Sequence, residues 1–342
     1  MIKQLLKEGF ELKSKGFYKH AIETFYKALE LDNDSIELML EIADSYYLMN
    51  LEERALNYIE QILDKEPTHI ESLKLLRKIF INKKAWVEAE QTAKNIYCIS
   101  KNIEDLIIIF DLMNKQGKHN EIFEFETNQN EPDIIYEIAR AKFFSNELEE
   151  AENLINCAIN LKSSNQYRLL KGKILYKQKR KQDCLELLND IEIEEKNPEI
   201  LNYIGLVKQS TEEYDEAIKC FKKAIQLNPI DEYYYNCAST YFKMGEISLA
   251  QKYYNLAIAK NPDNQIYHFA LANLYYSEKH YKRALEELHY DFFEANLLRA
   301  IILYDTGYLA LAKKILDKLA QERPDDHVVE SYKKQIEDEL NL

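Results

Sequence analysis

A repeated spacing of small residues constrains the fold more than any other feature of this sequence. Ten positions recur at intervals of 34, 34, 33, 29, 33, 33, 33, 34 and 28 residues, and eight of the ten are alanine: Ala21, Ala55, Ala89, Ile122, Ala151, Cys184, Ala217, Ala250, Ala284 and Ala312. A second series lies twelve residues earlier: Gly9, Ala43, Arg77, Phe110, Ala139, Gly172, Gly205, Ala238, Ala272 and Ala300. Such self-similarity is typical of stacked supersecondary units.

Composition agrees with an all-helical chain. The 342 residues include only seven Gly and six Pro, where average usage predicts about 24 and 17. Gly16, Gly117, Gly245 and Gly307 fall seven residues after the first small site, where a turn would end the first helix of each repeat. The prolines fall at or beside the junctions between repeats. These positions leave no glycine-rich loop for an α/β enzyme.

The repeat resembles a known family. Residues 198–229 carry Leu201, Ile204, Gly205, Ala217, Phe221, Ala224 and Pro229, and residues 234–262 carry a similar series. This pattern is similar to that of the tetratricopeptide repeat, whose unit is about 34 residues of helix–turn–helix. The resemblance implies an all-α, right-handed solenoid of about ten such repeats, in which the small residues let paired helices approach closely.

The spacings also suggest a division of the chain. The intervals of 29 and 28 predict shortened second helices in the fourth and ninth repeats, and the polar stretch 127–131 predicts an irregular joint. We therefore expect four N-terminal repeats over 1–131 and six C-terminal repeats over 132–326. Residues 327–342 carry a narrow apolar stripe (Val328, Val329, Tyr332, Ile336 and Leu340) and predict a capping helix.

Motifs for catalysis are missing from the sequence. It holds no phosphate-binding loop, no dinucleotide fingerprint, no H-E-x-x-H zinc motif and no G-x-S-x-G elbow. The five cysteines contain no C-x-x-C pair, which disfavours a zinc site or a disulfide framework. We expect no enzyme activity, no catalytic residues, no metal and no cofactor.

The terminus and the charge indicate where such a chain acts. Its first residues are charged and amphipathic, unlike a signal peptide, and no stretch has the length of a membrane span. The expected location is the cytoplasm, without membrane insertion. The net charge of −14 opposes a general nucleic-acid binder, which needs a basic surface.

The family resemblance implies a concave groove lined by the first helix of each repeat. Carried onto this sequence, its C-terminal part places Asn202, Tyr203, Tyr235, Asn236, Phe242, Phe269, Asn273 and Tyr276 in or beside that groove. Asn side chains pair with peptide N–H and C=O groups, and aromatic rings supply apolar contact at low entropic cost. This set predicts a peptide-binding site. The alternative is that these rings pack between neighbouring helices.

The middle repeats place basic residues on the same predicted face: Lys74, Lys78, Arg140, Lys173 and Lys177. On an acidic protein, this secondary basic strip would attract acidic peptides, phosphate or RNA. The alternative is that lysine is simply common in the composition.

The sequence therefore predicts a non-catalytic scaffold that binds a peptide or partner protein in the groove. Three alternatives stay open: a peptide-responsive sensor or regulator, an accessory subunit of an enzyme supplied by a separate chain, and an RNA-binding helical repeat. The identity of the partner and the oligomeric state are not determined by the sequence.

Overall fold

A computed structural model describes residues 1–125, 130–189, 191 and 197–340, and within these residues all regular structure is helical. The chain divides into two compact units, which we call the N-terminal unit (Met1–Gln178) and the C-terminal unit (Lys179–Leu342). The prediction of an all-α helical repeat is confirmed. The predicted boundary between repeats at 131/132 stays a prediction, since most of stretch 127–131 lies outside the described residues, as does the acidic run 192–196.

The described part of the N-terminal unit contains eleven helices: α1 (Ile2–Ser14), α2 (Tyr18–Leu29), α3 (Ile36–Leu48), α4 (Glu52–Lys65), α5 (Ile70–Asn82), α6 (Trp86–Ser100), α7 (Ile103–Lys115), α8 (His119–Phe123), α9 (Pro132–Phe144), α10 (Leu148–Leu161) and α11 (Asn165–Lys177). Helices α1 to α10 form five consecutive hairpins. The second helix of each hairpin also packs against the first helix of the next, so the core runs along the stack.

The described part of the C-terminal unit contains ten helices: α12 (Lys181–Asn189), α13 (Pro198–Ser210), α14 (Tyr214–Leu227), α15 (Asp231–Met244), α16 (Ile247–Lys260), α17 (Gln265–Ser277), α18 (Tyr281–Glu287), α19 (Phe293–Asp305), α20 (Leu309–Glu322) and α21 (His327–Leu340). Helices α13 to α20 form four hairpins that stack in the same way.

The small residues have the predicted packing role. A Cβ atom added to Gly9 would lie 2.3 Å from the ring of Phe25, and one added to Gly205 would lie 2.6 Å from the ring of Phe221. All eight alanines of the second-helix series are fully buried. Each hairpin thus closes where a small residue on one helix receives a large residue from the other.

The turn inside each hairpin follows one backbone rule. The residue seven positions after the first small site has a positive φ in all ten repeats. It is Gly at the four predicted positions, with φ of 74–81°, and a non-glycine residue in the other six: Asn50, Lys84, Asn146, Lys179, Glu212 and Lys279. A left-handed residue here ends the first helix and lets the chain reverse. The sequence revealed this conformation only where glycine occupies the position.

The two short intervals correspond to two short helices. Helix α8 has five residues and α18 has seven, whereas α14, α16 and α20 have fourteen each. Near α8 the large Phe110 replaces the usual small residue, and its ring meets that of Phe125 edge-on at 5.2 Å. In this repeat the short second helix accommodates a large residue at the contact.

The last helix, α21, packs against α20 through Val329 and Ile336, both buried. Two members of the predicted apolar stripe do not join this contact: Val328 and Leu340 are exposed by 46% and 53%. At a helical spacing of 100° per residue, Val328 lies to one side of the stripe, and Leu340 stands at the end of the helix. The capping helix therefore buries a narrower face than the sequence predicted.

Candidate functional site

The eight residues of the predicted groove all lie on first helices of the C-terminal unit, on α13, α15 and α17. Asn202 and Asn236 are buried. The others are half-buried: Tyr203, Tyr235, Phe242, Phe269, Asn273 and Tyr276. We call the surface formed by these six the first-helix face.

The two buried amides bind each other. The Asn236 Nδ2 atom donates to Asn202 Oδ1 at 2.8 Å, and Asn202 Nδ2 donates to Glu232 Oε1 at 3.1 Å. Further along the same two helices, Gln209 Nε2 donates to Thr240 Oγ1 at 2.8 Å. These bonds connect α13 to α15, so the amides that the sequence assigned to a peptide are used to hold neighbouring helices together. Burial of both groups makes each bond costly to lose.

The aromatic side chains of the first-helix face are fixed by ring contacts. The ring of Tyr235 stacks on that of Tyr267 at 5.1 Å, and the ring of Phe269 meets that of Phe292 edge-on at 5.5 Å. Burial raises the pKa of the Tyr235 hydroxyl above its ordinary value, so this group is neutral at pH 7. Each ring therefore packs between helices and also keeps part of its surface in solvent.

Tyr276 and Asn273 make polar contacts on the same face. The Tyr276 hydroxyl donates to Asp305 Oδ2 at 2.9 Å, which connects α17 to α19. The Asn273 amide donates to the backbone carbonyl of Phe269 at 2.9 Å, within its own helix. Its Oδ1 atom accepts no hydrogen bond from any residue that the structure describes.

The basic strip lies in the N-terminal unit, and part of its charge is paired. Arg140 Nη1 lies 2.9 Å from Asp111 Oδ1 and 2.7 Å from Glu137 Oε2. Burial raises the pKa of Glu137, although Arg140 and Asn114 act in the opposite direction. Arg140 therefore bridges α7 and α9.

The lysines of the strip differ in their surroundings. Lys74 Nζ lies 2.8 Å from Glu71, and Lys177 Nζ lies 4.3 Å from the centre of the Phe143 ring. Lys78 is exposed and Lys173 is half-buried. The structure thus places these side chains on first helices as predicted, but it pairs several of them within the protein.

A charged contact that the sequence did not reveal stands at the irregular small site. Arg77, which interrupts the series of small residues, is buried and extends to Asp105, with Nη1 and Oδ1 3.0 Å apart. Ser100 donates a further bond to Asp105 at 2.8 Å. The carboxylate comes from the next repeat, 28 residues away, so the local pattern at Arg77 gave no signal for it.

Two of the cysteines have a structural role. Cys184 and Cys237 are fully buried, and burial raises the pKa of their thiols to about 11 and about 12. Both are thus protonated and unreactive at neutral pH. The five cysteines, all within the described residues, form no disulfide.

Two further kinds of site are absent from the residues that the structure describes. No three or more His, Cys, Asp and Glu side chains lie close enough together to hold a metal ion. No helix in this part of the chain has both the length and the apolar character required to cross a membrane.

Comparison with known proteins gives the same repeat. Models of the tetratricopeptide repeat match residues 198–231 and 235–288. A TPR repeat-containing protein of Methanocaldococcus jannaschii is 25% identical over 286 residues, which cover 76% of this chain and 50% of that protein. The chain thus spans about half the length of this curated relative.

Two solved structures share the fold at low sequence identity. A chain in the crystal structure of the APC/C hetero-tetramer Cut9-Hcn1 aligns with a TM-score of 0.63 at 10% identity, covering 98% of this chain and 76% of that one. PilF of Pseudomonas aeruginosa aligns with a TM-score of 0.52 at 15% identity, covering 64% of this chain and 99% of PilF. The repeated small sites, the hairpins built on them and the matching repeat models together show that the chain carries tetratricopeptide repeats.

Proposed function

We propose that this protein is a non-catalytic, cytoplasmic scaffold that binds an extended segment of a partner protein on the first-helix face of its C-terminal unit. Tetratricopeptide repeats suggest protein interaction in general. We choose this face because it carries partly exposed aromatic side chains.

The observation that carries the proposal is a row of partly exposed aromatic side chains at equivalent places in successive repeats. Tyr235 and Phe269 stand three residues before the small site of their helices, and Phe242, Tyr276 and Tyr304 stand four residues after it. Aromatic rings offer a large contact area with few rotatable bonds. A row of them suits a partner that crosses several first helices.

The surroundings of these rings favour binding because they reduce its entropic cost. The buried Asn202–Asn236 and Gln209–Thr240 bonds fix α13 against α15, and Tyr276 is held by Asp305. A surface that is already ordered loses little conformational freedom when a ligand binds. In this proposal, Asn202 and Asn236 are positioning residues, and the aromatic rings and Asn273 contact the partner.

The test is a pair of matched double variants in affinity capture from an extract of the source organism. Phe242→Ala with Tyr276→Ala changes the first-helix face. The control, Leu249→Ala with Leu256→Ala, changes two exposed leucines of α16 outside this face. Their side chains are 37% and 38% exposed. Far-ultraviolet circular dichroism checks that both variants keep their helices.

We expect the first variant to lose a protein that wild type and the control both retain. Titration of that protein, once purified, should show at least about tenfold weaker binding, as is common for truncated aromatic anchors. Equal retention by the two variants, or equal loss from both, would contradict a site on this face.

A further inference from the structure

A second surface of the C-terminal unit results from the short helix α18. The chain leaves the helical path after Glu287, and residues 288–292 continue without regular structure. A cavity of about 510 Å³ opens between this segment, α19 and α20. That volume lies within the range of ligand sites, which is about 300–1,000 Å³.

The eighth repeat shows what normally covers this surface. There, Tyr241 of α15 and Tyr253 of α16 contact each other at 5.4 Å, and Lys222 of the full-length α14 lies 5.5 Å over the Tyr241 ring. Counting from the small sites of each helix, the residues of the tenth repeat equivalent to these tyrosines are Leu303 and Ile315. Both line the cavity, because α18 ends before it reaches the place that α14 occupies.

The walls of the cavity combine apolar and cationic side chains. Leu311, Lys314 and Lys318 follow each other at helical spacing on α20, so they lie on one side of that helix. Leu311 is 54% exposed, so about half of this aliphatic side chain is open to solvent beside the cavity. An apolar wall next to cations matches a ligand that carries both an aliphatic group and a carboxylate.

The charged residues that line the cavity differ in the partners that they contact. Arg299 donates to the backbone carbonyl of Leu288 and so supports the loop wall. Asp291 accepts from Asn296 Nδ2 at 2.7 Å, and this bond, together with nearby Lys318, lowers the pKa of its carboxyl. Lys318 also lies 4.0 Å from Glu322.

Lys314 is exposed and has no ion pair or hydrogen bond with any residue that the structure describes. Three cations and one carboxylate thus line a cavity on a chain whose net charge is −14. A local positive field on an acidic surface selects an anionic ligand, because the rest of the surface repels it.

We propose that this cavity is a docking site for an acidic peptide segment of a partner protein, in which an aliphatic side chain enters between Leu303 and Leu311 and a neighbouring carboxylate pairs with Lys314. Lys318 assists, with its charge partly offset by Asp291 and Glu322. The site is separate from the residues of the first-helix face and does not depend on that proposal.

The test uses fluorescence anisotropy with the full chain and two labelled peptides. The probe is a fluorescein-labelled octapeptide of alternating Glu and Leu, and the control peptide has Gln in place of every Glu. Lys314→Glu and Lys318→Glu change the cavity, with Lys314→Gln as a milder variant. Lys252→Glu with Lys260→Glu on α16 is the matched control, since both lysines are exposed and lie outside the lining.

We expect the Glu peptide to bind wild type with a Kd below about 1 mM, and to bind more weakly as salt is added. Lys314→Glu should weaken binding by at least about tenfold, Lys318→Glu by less, and the α16 control should leave it unchanged. The Phe242→Ala/Tyr276→Ala variant should bind the peptide as wild type does, which separates this site from the first-helix face.

Four results would overturn the proposal: no binding of the Glu peptide in this range, equal binding of the Gln peptide, unchanged binding by Lys314→Glu, or loss of binding from the first-helix variant. Helicity measured on each variant confirms that a loss of binding reflects the removed charge.

Discussion

First helices of neighbouring repeats are held together differently in the two compact units. In the N-terminal unit the contacts include ion pairs: Arg77 with Asp105, Arg140 with Asp111, and Lys13 with Glu41. In the C-terminal unit they include the neutral pairs Asn202–Asn236 and Gln209–Thr240 and bonds from an uncharged donor to a carboxylate, as from Tyr276 to Asp305. The same hairpin fold thus tolerates either chemistry at these contacts.

The difference has an energetic consequence. A buried ion pair requires both charges to leave water. Removal of one partner therefore leaves the other charge buried and unpaired, which lowers the free energy of unfolding strongly. A neutral hydrogen bond costs less to bury and less to break, and it responds little to salt or pH. The two units should therefore differ in how mutation, salt and acid affect them.

The largest effect is expected from Arg77→Met. The change leaves Asp105 buried with only the Ser100 hydroxyl as partner, and a loss of about 3–5 kcal/mol in the free energy of unfolding should follow. Urea unfolding followed by circular dichroism measures it. The double variant Arg77→Met/Asp105→Leu should recover most of the loss, and a single variant as stable as wild type would contradict the role of this pair.

A smaller effect is expected from Asn236→Leu in the C-terminal unit. The change leaves the buried Asn202 oxygen without its donor, which should cost about 1–3 kcal/mol. Urea unfolding at low and high salt should give the same loss, because no charge is removed. Recovery in Asn202→Leu/Asn236→Leu would support the pairing, whereas a strong salt dependence would contradict the contrast between the units.

The smallest effect is expected from Glu90→Gln, and it concerns the loss of stability at acidic pH. Burial raises the pKa of Glu90, but hydrogen bonds from Lys118, Lys94 and Gln116 outweigh burial and hold it below the ordinary value of 4.5. The stability that this carboxylate contributes is present above that value and is lost as pH falls through the lowered pKa. Both lysines are about one-third exposed, which limits the effect through screening by solvent.

Thermal unfolding between neutral and acidic pH measures this difference. Glu90→Gln should be less stable than wild type near neutrality, and the two curves should converge in acid. The exposed Glu88→Gln on the same helix is the control, and it should follow wild type throughout. A constant gap between wild type and Glu90→Gln at all pH values would contradict the assignment.

Much of the fold was predictable because the repeat depends on the types of residue at fixed positions along the chain. Ala217 and Gly205 mark the closest approach of two helices, and steric exclusion permits little else beside Phe221. Ser35 and Asn197 cap the helices that follow them, as polar residues at helix starts do. The short intervals likewise identified α8 and α18 as short helices.

The candidate site was less predictable, because its residues act through partners from other repeats. The position of Asn236 on a first helix followed from the spacing, but the direction of its amide toward Asn202 depends on how two repeats are stacked. The same holds for Arg77 and for the pairing of Arg140 with Asp111. Sequence spacing gives the face on which a side chain lies and does not give the group that it meets there.

The sequence by itself determined the helical repeat, the close-packed small sites and the two short second helices, since each depends on residue size and spacing within one hairpin. Only the tertiary structure decided which polar groups pair with each other inside the protein. It also decided where the short helix α18 leaves Leu303, Leu311 and Lys314 beside an open cavity. The reason is that hydrogen bonds and cavities form between chain segments about 30 residues apart, whose relative placement is set by packing along the stack.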